Sequence, residues 1–111
     1  MSIDKFQIAK NALNRFEKLY GAEVLKVYSA ANGYISRELT DGMVAGVPQR
    51  AVLEQKKLWV VPIILTNKAG GYGELGVIFI EDQTLSILGS TDRSEVFKKA
   101  EMLVDEKAKA A

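Results

Sequence analysis

Two apolar runs rich in valine and isoleucine, Leu58 to Leu65 and Leu75 to Ile80, constrain what this chain can fold into more than any other feature. Branching at Cβ narrows side-chain freedom in a helix and suits a pleated strand, so both runs predict extended backbone at the centre of a sheet. Between them lies NKAGGYGE, whose three glycines can take the positive φ angles and close approaches of a hairpin connection. Glu81, Asp82 and Gln83 then interrupt the apolar pattern before Thr84 to Leu88 resumes it. Three sequential strands joined by reversals predict an antiparallel meander.

Pro62 sits inside the stronger run and brings no amide donor to a ladder. Its position requires an edge, a bulge, or an amide position facing away from a partner. Val60, Val61, Ile63 and Ile64 around it are apolar on both faces of a strand, which predicts a helix over one face and a partner subunit or a loop over the other.

The chain of 111 residues is long enough for one domain with its own core, so residues 1–111 read as a single domain with a flexible tail over 105–111. It has no cysteine and no histidine. Disulfides, thiolate chemistry, cysteine-ligated metals and a histidine general base are therefore excluded by composition. Fifteen basic and fourteen acidic side chains give a formal charge of +1, with seven bases and five acids up to Arg50 and eight and nine beyond it. That balance supplies no concentrated field for a phosphate backbone. MSIDKFQIAK has no apolar secretory core, and no stretch reaches the ~20 apolar residues of a membrane span, so the reading is cytoplasmic.

Phe6, Ala9, Leu13, Phe16 and Tyr20 recur at spacings of three and four, and Gly21 follows where a positive-φ cap would end the helix. This predicts a first helix whose apolar face covers the sheet. From Glu23 to Ala31 the alternation of Leu25, Val27 and Ser29 with Lys26, Tyr28 and Ala30 predicts a half-solvated strand. Asn32-Gly33 reads as its turn and Tyr34 to Leu39 as a short returning strand. Residues 40–48 carry two glycines and a proline around Met43, Val44 and Val47, and suit either a loop folded over the core or a lid. Gln49 to Lys57 extends the meander upstream. Asp92 and Glu95 have capping spacing before Val96, Ala100 and Leu103, which predicts a C-terminal helix starting near Arg93. The fold class expected is α+β: an N-terminal helix packed on a three-to-five-stranded antiparallel sheet, with a C-terminal helix.

The glycine stretch lacks the Gly-Lys-Ser/Thr ending of a phosphate loop and lies between strands, not before a helix. Glu81 and Asp82 are adjacent, so in a straight strand they face opposite ways and cannot share a substrate. The serines have no histidine to activate them. No catalytic, metal-binding or cofactor-binding residue is assigned, and no cofactor is expected. Tyr72 at the glycine loop, Trp59 and Ile78 are the candidate partner contacts. Arg50, Lys56, Lys57 and Lys68, near an aromatic, are the residues an alternative nucleic-acid surface would use.

KLWVVPIILTN, the glycine loop, GELGVIFIEDQTLSIL and the polar restart STDRSEV together resemble the PepSY-like pattern of a tryptophan-led strand, a hairpin, a strand ending in an acidic turn, and a short strand. The likeness lies within residues 57–96. Where that family's turn continues from threonine to glycine, this chain has Leu85 after Thr84. A cystatin-like helix laid across a curved antiparallel sheet is a related pattern, without the glutamine-valine-glycine inhibitor motif. The resemblance implies non-catalytic binding or regulation. The function expected is a small non-enzymatic binding or assembly module, homodimeric through a sheet face or edge, with a protein or peptide as another partner. A nucleic-acid-binding module and a carboxylate-dependent enzyme are the alternatives.

Overall fold

The computed structural model describes residues 5–39, 42–67 and 70–110; the side chains of residues 5, 6, 8, 9, 67, 70–72 and 107–110 lie outside that description. The order of elements is α1 (Lys5–Tyr20), α2 (Ala22–Glu38), β1 (Met43–Ala45), β2 (Gln49–Leu53), β3 (Lys56–Asn67), β4 (Gly70–Glu81), β5 (Ile87–Ser90) and α3 (Arg93–Ala110). N-terminal helices, an antiparallel sheet and a C-terminal helix make the α+β fold that the sequence predicts. α3 continues through residues 105–110, the stretch expected as a tail.

The two apolar runs are the central strands. β3 pairs with β4 along its length, β5 adds to the far edge of β4, and β1 and β2 both pair with β3 on its other edge. β1 and β2 are one edge strand broken at Gly46 to Pro48, because Ala45 faces Ile63 while Gln49 faces Val60. That break accommodates Pro62. Its carbonyl accepts the Gly46 N–H at 2.8 Å, and in an antiparallel pair the absent Pro62 amide would point back to the same residue. The proline therefore spends its missing donor at the bulge of the edge strand.

The glycines expected in a loop belong mostly to β4. Gly73 has φ +141°, and register slips between Ile63 and Ile64 and between Leu65 and Thr66 leave Leu75 and Tyr72 without direct partners. The β2–β3 reversal is a two-residue turn at Glu54 and Gln55, with φ of 51° and 68°. Residues 42–48 form neither a lid nor an open loop: Met43 and Ala45 are buried strand residues.

The second helix is the main correction to the sequence reading. Residues 22–38 are helical, where two short strands and an Asn-Gly turn were expected. Val27, Ala31 and Ile35 recur at four-residue spacing and are the buried stripe of α2. Asn32 is interior to the helix, where its Oδ1 accepts the Ala45 N–H at 2.9 Å and fastens β1 to α2. The side chains of Tyr34 and Ser90 share a 2.7 Å hydrogen bond that ties the same helix to β5.

α2 and α3 cover the same face of the sheet. The core joins Val27, Ala31 and Ile35 to Trp59, Val61 and Ile63 of β3, Ile78 and Ile80 of β4, and Val96 and Ala100 of α3. α1 contributes nothing to this fully buried set among the described side chains. It packs on α2, with the Phe16 ring stacked on Tyr28 at 4.4 Å between centroids, so the covering role expected of α1 falls to α2.

Candidate assembly surface

Successive residues of a strand face opposite sides, so burying Trp59, Val61 and Ile63 under the helices turns Val60, Pro62 and Ile64 to the other side. Direct cross-strand partners share a face. Val44 lies beside Ile64, Val77 beside Pro62 and Phe79 beside Val60. These six residues form an uncharged apolar patch across β1, β3 and β4. Among the described residues, none of them joins the helix-covered core, and Val44 is 37% exposed while the other five are partly exposed. Gly46 keeps the patch low: a Cβ there would lie 2.9 Å from Pro62 Cγ and 3.3 Å from Ile64 Cγ1. Glu74, opposite Ile64, and Glu81, opposite Leu58, mark its two ends.

Ile78, chosen from sequence as a partner contact, is on the wrong side. It pairs with Val61, is 0% exposed and belongs to the core, so it cannot meet a partner without unfolding. Trp59 is also enclosed, at 2% exposure. Its Nε1–H donates to Asp82 Oδ1 at 3.0 Å, and the Arg50 guanidinium lies over its ring at 4.3 Å. The Tyr72 side chain lies outside the described residues, as does Lys68.

Arg50 is engaged by two acids and an aromatic ring. It holds Glu23 at 2.7 Å and Asp82 at 3.4 Å while covering Trp59. The arrangement clamps the start of α2, β2 and the β4–β5 turn over the one tryptophan. Lys56 and Lys57 are exposed at the β2–β3 hairpin and, as neighbours on a strand, face opposite ways. The proposed basic set is thus not gathered on one surface.

The adjacent acids also part company. Asp82 turns to Trp59, while Glu81 accepts the Thr84 N–H at 2.6 Å and the Thr84 hydroxyl. The Thr84 hydroxyl, and after it the Thr84 backbone N–H, hold the Glu81 carboxyl below its ordinary value of 4.5. Leu85, at φ 59°, occupies the left-handed region in the same turn. Both acids are consumed in shaping a reversal. Among the described residues no group of three or more acids is placed to hold a metal ion, and no helix is long and apolar enough to cross a membrane.

No protein-family profile, no curated protein and no solved structure matches this chain.

Proposed function

We propose that the protein is a non-enzymatic assembly module that forms a homodimer by laying the helix-free faces of two sheets together. The observation that carries this reading is the uncharged patch of Val44, Val60, Pro62, Ile64, Val77 and Phe79 on the side of the sheet opposite both packed helices. A second copy suits it because identical apolar faces meet without stripping water from a charge, and interfaces between identical subunits are apolar and poor in charge at their centre. A face as long as Leu58 to Leu65 and four strands wide measures about 26 by 19 Å from ordinary strand rise and spacing. Two such faces bury on the order of 1,000 Å², the lower end of specific interfaces, which implies a dimer that dissociates at low concentration. The PepSY-like pattern of residues 57–96, which implies binding without catalysis, points the same way.

Replacing Ile64 with lysine tests the face. The variant is expected to associate less than the parent at every concentration by light scattering, with its helical circular dichroism unchanged. An Ile64→Lys protein that dimerises like the parent would reject this face, and Ile78→Lys, buried in the core, is expected to unfold.

A further inference from the structure

Helix α1 and a groove beside α3 are complementary to each other in their apolar surface and their charge. α1 meets α2 where Phe16 stacks on Tyr28, and among the described side chains of its apolar arc Leu13, Leu19 and Tyr20 are 45%, 71% and 45% exposed. The helix carries Lys5, Lys10, Arg15 and Lys18 against the single acid Glu17. The groove, about 410 Å³, runs between α3 and the β1–β3 end of the sheet over Met43, Leu65, Phe97, Ala100 and Val104. Glu101 and Asp105, one helical turn apart and exposed, make its rim acidic.

We infer that the groove receives α1 of a second copy. Apolar side chains flanking Phe16, Leu19 first, enter the groove, and Arg15 and Lys18 face Glu101 and Asp105. The copy's own α1 is held away by its one-residue link at Gly21 and by the Phe16–Tyr28 stack on α2. Each subunit offers one helix and one groove, so two copies exchanging helices about a twofold axis would satisfy both. It is the helix-in-groove mode of recognition, with charge at the rim setting orientation. None of its residues lies in the sheet-face patch, so the two contacts stand or fall separately.

The absence of cysteine permits a clean test. Leu19→Cys protein and Val104→Cys protein, both changed at exposed positions, are mixed in equal amounts under mild oxidation and the disulfides resolved by intact mass. The mixed Leu19–Val104 disulfide is expected to exceed either like pair by about tenfold, because a disulfide requires the two Cα atoms within about 7 Å. Replacing Glu101 and Asp105 together with lysine is expected to return the mixture to the statistical ratio of about two to one, as like charges repel across the contact. A statistical mixture from the parent pair, or a mixed excess unmoved by the charge reversal, would overturn the inference. So would a fluorophore on Leu19→Cys that responds to phosphatidylserine vesicles but not to protein concentration, since α1 would then be a membrane-surface helix.

Discussion

The Gly46 N–H reaches the Pro62 carbonyl at 2.8 Å, and a Cβ at Gly46 would stand 2.9 Å from the proline ring. One residue thus settles both the backbone pairing of an awkward proline and the flatness of the exposed sheet face. Gly46→Ala is expected to cost about 1–3 kcal/mol, because the pyrrolidine ring is tethered to the central strand and has little room to yield. Urea unfolding measures it, and a loss confined to a few tenths of a kcal/mol would show that the edge strand shifts freely.

The Trp59–Asp82 hydrogen bond makes a sharper chemical prediction. Asp82→Ala leaves the enclosed indole N–H without its acceptor and is expected to destabilise the protein by about 1–3 kcal/mol. Asp82→Asn keeps an acceptor oxygen and is expected to lose less. Arg50→Ala is expected to cost less than about 1 kcal/mol, since its side chain is 55% exposed and its ion pairs are screened. The single tryptophan reports all three by fluorescence during denaturation.

Glu54 and Gln55 form a tight hairpin turn with two left-handed residues and no glycine. Replacing them with Asn-Gly, the pair that this turn geometry favours, is expected to stabilise the domain by about 1 kcal/mol, most of the backbone strain being relieved and part offset by glycine's freedom in the unfolded chain. A rise of about 4–8 °C in the melting temperature is the readout.

Glu81 gives a pH dependence with a defined sign. Its folded pKa lies below the ordinary 4.5, so its contribution to stability is fully present above that value and is lost as pH falls through the lowered pKa. Thr84→Val removes the hydroxyl that does most to lower the Glu81 pKa and is expected to move it upward towards 4.5 while shrinking the loss of stability on acidification below that pH. Carbon-detected NMR titration of the Glu81 carboxyl distinguishes this from an unchanged pKa, which would assign the shift elsewhere.

The central strands were legible in the sequence because continuous Val and Ile leave little choice but buried extended backbone. α1 and α3 were legible from their spacing and boundary residues. α2 was not, because EVLKVYSAANGYI supports two periods: Leu25, Val27 and Ser29 alternate, while Val27, Ala31 and Ile35 recur every fourth residue. The Asn-Gly pair tipped the reading to a turn, whereas the acceptor that Asn32 offers to Ala45 exists only once β1 has docked. A local signal was overridden by a tertiary contact.

The surface was half legible. A strand apolar on both faces announced a helix on one side and a partner or loop on the other, and Pro62 left an edge, a bulge or an outward-facing amide open, of which the edge-strand bulge at Gly46 is the one present. Which set of alternating residues lies under α2 and α3 depends on how the helices return to the sheet, and no residue of β3 or β4 encodes that alone. Ile78 and Trp59 therefore fell to the core, and Val60, Ile64 and Phe79 to the open side. The basic residues carried even less information, since Arg50 finds its partners Glu23 and Asp82 far along the chain in both directions.

Sedimentation equilibrium of the unmodified protein from low to high micromolar concentration tests self-association through the sheet face most directly when run beside Ile64→Lys. The expected result is a mass rising with concentration above the 12.2 kDa of one chain in the parent, and less association at every concentration in the variant. A parent that stays at 12.2 kDa throughout, or a variant that associates as strongly as the parent, would contradict it.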